Sequence, residues 1–196
     1  MQQVFYTPAS PEEYWQLGRD FAFPDPPGSC PICRTSLPLK KHGFYRRNSH
    51  SGHGARRILI RRYRCRFCGR TVSFLPSFCL PYFQYGLKLI YQALECVLKG
   101  SFSLRACLAL FRGRFKELYW EPAHLRFYVR RFLAVLPRLK LVLRQMLIEI
   151  GLPGEGSPRE EAARMLDILA GFGDIQLFSA GFYDQCGRCF LAPFAR

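Results

Sequence analysis

Two short cysteine pairs, Cys30-Pro31-Ile32-Cys33 and Cys65-Arg66-Phe67-Cys68, stand thirty-one residues apart in a chain of 196. Each Cys-x-x-Cys spacing fits a tight knuckle that turns two thiols to the same side. If both pairs serve one centre, the chain between them has to leave the first knuckle and come back to the second. Thirty-one residues is more than a compact finger uses. The excess is explained by two strands and a loop that extend as a hairpin from the knuckles.

The donor set says what the centre holds. Four thiolates make a complete tetrahedral shell, which soft, geometry-tolerant zinc accepts well. One structural Zn2+ is therefore expected on Cys30, Cys33, Cys65 and Cys68, with no position open for water and so no catalytic role for the ion. A redox Cys-x-x-Cys needs only one pair, placed at the start of a helix. His42, His50 and His53 are alternative ligands, although four thiols suffice and these histidines lie in or near a basic loop. Nine cysteines, an odd number, fit a disulfide framework poorly.

Charge is as one-sided as the cysteines are ordered. Between Ser29 and Leu80 the chain carries twelve Lys and Arg and no Asp or Glu. The net charge is −3 over residues 1–29, +12 over 30–80, +8 over 81–150 and −2 over 151–196, which gives +15 for the whole. The basic character is a patch in the middle of the chain, and a patch of that kind asks for a polyanion. No basic n-region with an apolar h-region opens the sequence. The longest apolar run, Leu139 to Leu152, is broken by Lys140, Arg144 and Glu149. Neither a signal peptide nor a membrane span is expected, and a cytoplasmic, nucleoid-associated protein is.

Local patterns divide the chain into an arm (1–28), a ribbon (29–80), a helical domain (81–150), a linker (151–158) and a carboxy-terminal extension (159–196). In the arm, Pro11-Glu12-Glu13 opens a short helix carrying Tyr14, Trp15 and Leu17, and Pro24-Asp25-Pro26-Pro27-Gly28 forms a rigid joint. Strands are expected near Leu39 to Arg46, over Arg56 to Tyr63 and over Thr71 to Phe74, with a polar loop at Asn48 to Gly54. Helical periodicity then takes over. Leu87, Ile90, Tyr91, Leu94, Val97 and Leu98 mark the first helix, and Ser103 caps a second through Leu104, Cys107, Leu108 and Phe111.

Pro122 opens a third helix with Leu125, Tyr128, Val129, Phe132, Leu133 and Leu136 on its face. Pro137 interrupts it before a fourth built on Leu139, Val142, Leu143, Met146, Leu147 and Ile150. Beyond the linker, Arg159 to Leu169 reads as a helix, and Ile175 to Phe190 as paired strands or irregular structure. The fold class is therefore α+β: a four-cysteine zinc ribbon of short antiparallel strands, then a helical bundle. Cys79, Cys96 and Cys107 read as small core residues. Cys186-Gly187-Arg188-Cys189 has knuckle spacing but no second pair in its half of the chain. It meets its copy in a homodimer or packs as ordinary interior.

The runs Cys30-Pro31-Ile32-Cys33, Lys41-His42-Gly43-Phe44-Tyr45-Arg46-Arg47 and Ile60-Arg61-Arg62-Tyr63-Arg64-Cys65-Arg66-Phe67-Cys68-Gly69-Arg70-Thr71-Val72-Ser73-Phe74-Leu75-Pro76 carry a family resemblance. Together they resemble the amino-terminal zinc-ribbon module of insertion-sequence transposases, and are similar to the ribbon of related small uncharacterised bacterial proteins. In these a helix-turn-helix segment follows the ribbon. The resemblance implies that Cys30, Cys33, Cys65 and Cys68 are the zinc ligands. It also implies that Leu125 to Phe132 is the recognition helix. Two departures stand out. About ten residues separate the second and third helices, more than the usual turn, and the chain has no room for the catalytic domain of a full transposase.

Double-stranded DNA is the polyanion expected. Arg46, Arg47, Arg56, Arg57, Arg61, Arg62, Arg64, Arg66 and Arg70 of the ribbon would neutralise phosphates and release counterions. On the third helix Arg126 and Arg130, with Arg131 alongside, would offer a groove-reading face. Exposed Phe44, Tyr45 and Phe67 among arginines keep RNA open as a partner. A nuclease or transposase subunit would need converging carboxylates, for which Asp174 and Asp184 are the candidates in strand-like context. An adaptor would bind a recombinase, a transposase or another copy through the acidic ends. The expectation carried forward is a non-enzymatic DNA-binding protein, an accessory or regulatory factor related to mobile elements.

Overall fold

The computed structural model describes residues 1–52, 54–146, 151–154 and 156–192. Four strands form one mixed sheet: β1 (Gln2–Phe5), β2 (Lys40–His50), β3 (Ala55–Arg64) and β4 (Thr71–Pro76), in the spatial order β1-β4-β3-β2. Among the described residues six α-helices accompany it: α1 (Pro11–Leu17), α2 (Leu87–Leu98), α3 (Leu104–Arg114), α4 (Pro122–Met146), α5 (Pro158–Ala170) and α6 (Ile175–Cys186). The α+β class read from the sequence is the class observed. Among the described residues no single helix is long and apolar enough to cross a membrane.

The hairpin β2–β3 is longer than its pattern suggests, because β2 runs on through the polar residues Asn48, Ser49 and His50. Its register pairs Lys40 with Arg64, Tyr45 with Ile60 and His50 with Ala55, with one irregularity between Lys41 and Phe44. Strand β4 adds antiparallel to β3, opposing Arg62 to Ser73 and Tyr63 to Val72. Alternation then sorts the side chains. Ile58, Ile60 and Leu75 join Tyr14, Phe78 and Cys79 in one cluster, while Tyr63, Val72 and Phe74 join Leu39 in another that backs Cys30 and Cys65.

The first residues of the chain do more than form an arm. Strand β1 pairs in parallel with β4, Gln2 opposite Ser73 and Phe5 opposite Pro76. Helix α1 starts where proline and serine dictate: Ser10 caps it in a reciprocal capping box with Glu13, and Pro11 takes the first turn. Tyr14 alone of its apolar residues folds back fully, while Trp15 and Leu17 stay exposed. Tyr14 is fully buried, its hydroxyl donates to the Leu59 carbonyl at 2.8 Å, and its ring lies 4.4 Å from that of Phe21. Burying a side chain of this size contributes about 1.5–3 kcal/mol. The Tyr63 hydroxyl ties the following segment down by donating to the Pro24 carbonyl at 2.5 Å.

Helix α2 is buried around most of its circumference, Leu89 and Ala93 included, and so is the central element of the helical layer. Ser103 caps α3, as expected, by accepting from the Ala106 N–H. Helix α4 runs unbroken through Pro137, where the sequence suggested two helices. Proline removes one backbone donor and crowds the carbonyl four residues earlier. Continuous burial of Phe132, Val135, Leu136, Leu139, Val142 and Leu143 keeps the helix whole across it. Leu147 and Ile150, assigned to the end of that helix, lie outside the described residues.

The segment from Ile175 forms no strands. Asp174 caps α6 by accepting from the Gln176 N–H at 2.8 Å. Phe178 and Phe182, one turn apart, pack with Phe190. Helix α6 also covers β1: Val4, Ala180 and Tyr183 form a small buried cluster, and the Tyr183 hydroxyl donates to the Gln2 carbonyl. The polar hairpin end is held too. Gly52 and Gly54 are buried, and a Cβ on Gly52 would stand 2.6 Å from the Phe115 ring.

Candidate metal centre and basic cavity

Two knuckles of identical backbone plan face each other. In the first, the Cys30 N–H donates to the Thr35 carbonyl at 2.9 Å and the Arg34 N–H to the Cys30 carbonyl at 2.8 Å. The second repeats this with the Cys65 N–H on the Arg70 carbonyl at 2.9 Å and the Gly69 N–H on the Cys65 carbonyl at 3.1 Å. Both loops close on a residue of positive φ, Arg34 at 61° and Gly69 at 70°. The side chain of Arg64 adds a bond from Nε to the Gly69 carbonyl at 3.1 Å.

The four sulfurs lie within 4.8 Å of one another. Cys30 Sγ is 3.9 Å from Cys68 Sγ, and Cys33 Sγ is 3.7 Å from Cys65 Sγ. A tetrahedron with sulfurs ~2.3 Å from its centre has edges of ~3.8 Å, so the spacing suits a metal ion bound by four thiolates. Electrostatics favours deprotonation at one corner. The Cys33 N–H, with that of Ile32, bonds the Cys30 sulfur and brings its thiol down to about 6. At Cys33 the Thr35 N–H pulls the same way, but burial and the three neighbouring sulfurs push the thiol up to about 11. Among the described residues no other group of three or more His, Cys, Asp or Glu converges in this manner.

The other candidate ligands sit elsewhere. His50 packs at a tilt against Tyr85 with ring centroids 5.0 Å apart, and His53 lies outside the described residues. His42 is exposed beside the centre. Cys79 is buried, its thiol pushed up to about 11 by that burial, and donates to Ser49 Oγ at 3.8 Å. Cys107 donates to the Cys96 carbonyl. Cys189 is buried in the main core, which raises its thiol to about 11, and Cys186 is half-buried against the same core.

Immediately outside the knuckles a cavity of about 560 Å3 is lined by Lys40, Lys41, His42, Arg64, Cys65, Arg66 and Gly69. Four cations and a histidine face one space, with no carboxylate among the described residues that line it. Strand register builds this cluster: pairing Lys40 with Arg64 and Lys41 with Tyr63 sets the start of β2 beside the second knuckle. Lys40 and Lys41 were not singled out from the sequence. Their signal was present in the lysine pair that opens the first strand, but only the register assigns it a neighbour.

The arginines named from the sequence separate into distinct environments. Arg46, Arg57, Arg64, Arg66 and Arg70 are exposed. Arg47 is committed to the fold, donating to the carbonyls of Leu80, at 2.6 Å, and Phe83. Arg56 pairs with Glu12 at 3.5 Å and lies 4.9 Å from the Trp15 ring centroid. Arg61 lies 4.7 Å from the centroid of Phe44, and Arg62 is half-buried on the opposite face of β3. On α4, Arg126 and Arg130 are exposed one turn apart, while Arg131 rests 5.1 Å from the Phe127 ring centroid.

Helices α3 and α4 are joined by seven residues, of which Phe115, Leu118 and Trp120 are buried. Asp174 and Asp184 lie ten residues apart on α6, a rise of ~15 Å along a helix, so these carboxylates do not share a site. Asp174 serves as the cap and accepts from the Tyr6 hydroxyl at 3.2 Å.

Residues 30–106 match the model of a family described as a domain of unknown function (DUF6431). The match takes in both cysteine pairs, β2 to β4, α2 and the first turn of α3. No curated protein and no solved structure matches the chain.

Proposed function

We propose that this chain binds double-stranded DNA through a hairpin held rigid by one Zn2+ on Cys30, Cys33, Cys65 and Cys68. The observation that carries the reading is the cavity walled by Lys40, Lys41, His42, Arg64 and Arg66 directly beside the cysteine centre. Four thiolates suit zinc in hardness and number, and the ion would supply a cross-link, with no position left for substrate. Cross-linking the knuckles holds Arg64 and Arg66 in place, so little side-chain and loop freedom is lost when a phosphate arrives. The cations bind backbone and carry no sequence information. Arg126 and Arg130 on α4 are the proposed base-reading pair.

The chain acts in this reading as a non-enzymatic accessory or regulatory factor, and its mobile-element setting rests on the motif resemblance. Fluorescence anisotropy with a duplex, a single strand and a structured RNA across a salt series tests the reading. The duplex is expected to bind best, with log affinity falling linearly in log salt. Exchanging Lys40, Lys41 and Arg66 together for Ala should reduce that slope by about two to three. Equal weak affinity for all three nucleic acids, or affinity indifferent to salt, removes the duplex reading. Metal analysis is the parallel check: about one zinc per chain is expected, lost with folding in Cys65→Ser.

A further inference from the structure

A second polar opening lies on the sheet face that carries Arg62. Register places Gln2, Ser73 and Arg62 side by side across β1, β4 and β3, and strand alternation puts them on one face together with Tyr45 of β2. Tyr82, beyond β4, lines the same opening, which measures about 380 Å3. A neighbouring opening of about 280 Å3 shares Gln2, Tyr45 and Tyr82 and extends it towards Arg47. No carboxylate is found among the described residues lining either one.

Two features mark this notch as built for a ligand. Arg62 Nε and Gln2 Oε1, a cationic donor and an amide acceptor, are both buried with no partner among the described residues. Folding normally pairs such groups, and an unpaired pair in one notch calls for something to be bound there. Tyr82 is the second feature. It takes φ of 70°, where bulky residues are seldom found, yet the residue is 81% exposed. Backbone strain that presents an aromatic ring to solvent is characteristic of ligand clamps.

We propose that the notch seats one unpaired nucleotide, with its phosphate on Arg62, its base against Tyr82 and its base edge on the Gln2 amide. An aromatic platform beside an arginine is the chemistry that holds unstacked bases. The notch also lies near the basic cavity along β3. Arg64, which lines that cavity, is two residues from Arg62 on the same face of β3, roughly 7 Å away. A strand whose phosphates run past Lys40 and Arg64 therefore arrives at Arg62 next. This assignment rests on the nucleic-acid reading and adds to it a preference for DNA with an unpaired end or an extruded base.

The test compares a blunt duplex with the same duplex carrying a four-nucleotide single-stranded overhang, and adds free thymidine and deoxyadenosine monophosphates as separate probes. The overhang is expected to tighten binding about tenfold, within the range a stacked base supplies. That ratio should fall to near one in Tyr82→Gly, which removes the ring and suits the backbone, and persist in Tyr82→Phe. Blunt and overhang duplexes bound equally well would overturn the notch and leave the duplex reading standing. Binding of a free monophosphate that Tyr82→Gly abolishes, with no duplex bound, would sustain the notch for free nucleotides and overturn the duplex reading. No binding of any probe overturns both.

Discussion

Arg34 and Gly69 occupy the same position in the two knuckles, each four residues after the leading cysteine, with φ of 61° and 70°. One knuckle has the residue suited to that conformation and the other has a side chain that resists it. Arg34→Gly should therefore leave the metal centre intact and raise stability by up to ~1 kcal/mol, since the added freedom of the unfolded chain offsets part of the relief. Gly69→Ala should lower it by ~1–2 kcal/mol. The nearest atom to the new Cβ is 3.8 Å away, so that loss is backbone strain and not a clash. Chelator-competition melts of both variants check the pair.

Arg47 and Arg66 make opposite predictions despite a shared reading from the sequence. Arg47 is half-buried and bonds two backbone carbonyls, so Arg47→Ala should cost about 2–3 kcal/mol of stability, measured by denaturant unfolding. Arg66 is exposed at the cavity, and Arg66→Ala should leave stability within ~0.5 kcal/mol. Its effect should appear as weaker duplex binding and a salt slope smaller by about 1. Equal effects of both on stability would refute the division.

The hairpin end is predicted to be intolerant of substitution. Gly52→Ala would push a Cβ to 2.6 Å from the Phe115 ring at φ of 96°. Strain and overpacking together should cost about 2–4 kcal/mol. A thermal midpoint unchanged in this variant would mean that the hairpin end is not seated against Phe115.

Acid sensitivity should include the two capping boxes. The backbone N–H of Ser10, with its hydroxyl, holds the Glu13 carboxyl below its ordinary 4.5, and Ser157 does the same for Glu160. A folded value below the unfolded one adds stability that is present above pH 4.5 and fades as pH falls through the folded value. Glu13→Gln with Glu160→Gln keeps the capping bonds and removes the titration. The melting temperature of this double variant should fall less steeply between pH 5 and pH 3 than that of the parent.

What could be read from the sequence was whatever local spacing encodes. The four cysteines, the strands of the hairpin and the starts of α1, α3, α4 and α5 all follow from residues within a few positions of one another: paired thiols, alternation, and serine or proline at a helix start. Strand β1 was missed because four residues carry no usable period, and its parallel partner is about seventy positions away. Helix α6 was misread as paired strands or irregular structure because its aromatics suit both helix and strand. The decisive cues were Asp174 as a cap and the four-residue step between Phe178 and Phe182. Pro137 was given too much weight, since burial along α4 outweighs one missing bond. The arginines were visible as charge, but their division between Arg47, tied to backbone carbonyls, and Arg66, exposed at the cavity, depends on tertiary contacts.

Strand β1 lies between β4 on one side and α6 over its face, so the ribbon shares its sheet with the first residues and its cover with a late helix. The hairpin is consequently not a portable cassette. A fragment cut at residues 29 and 80 would carry β4 with a bare hydrogen-bonding edge, the kind of surface that recruits other chains into aggregates. Grafting onto another protein, or dissection into separately expressed pieces, would succeed only if residues 2–5 and α6 travel with the cysteine cluster.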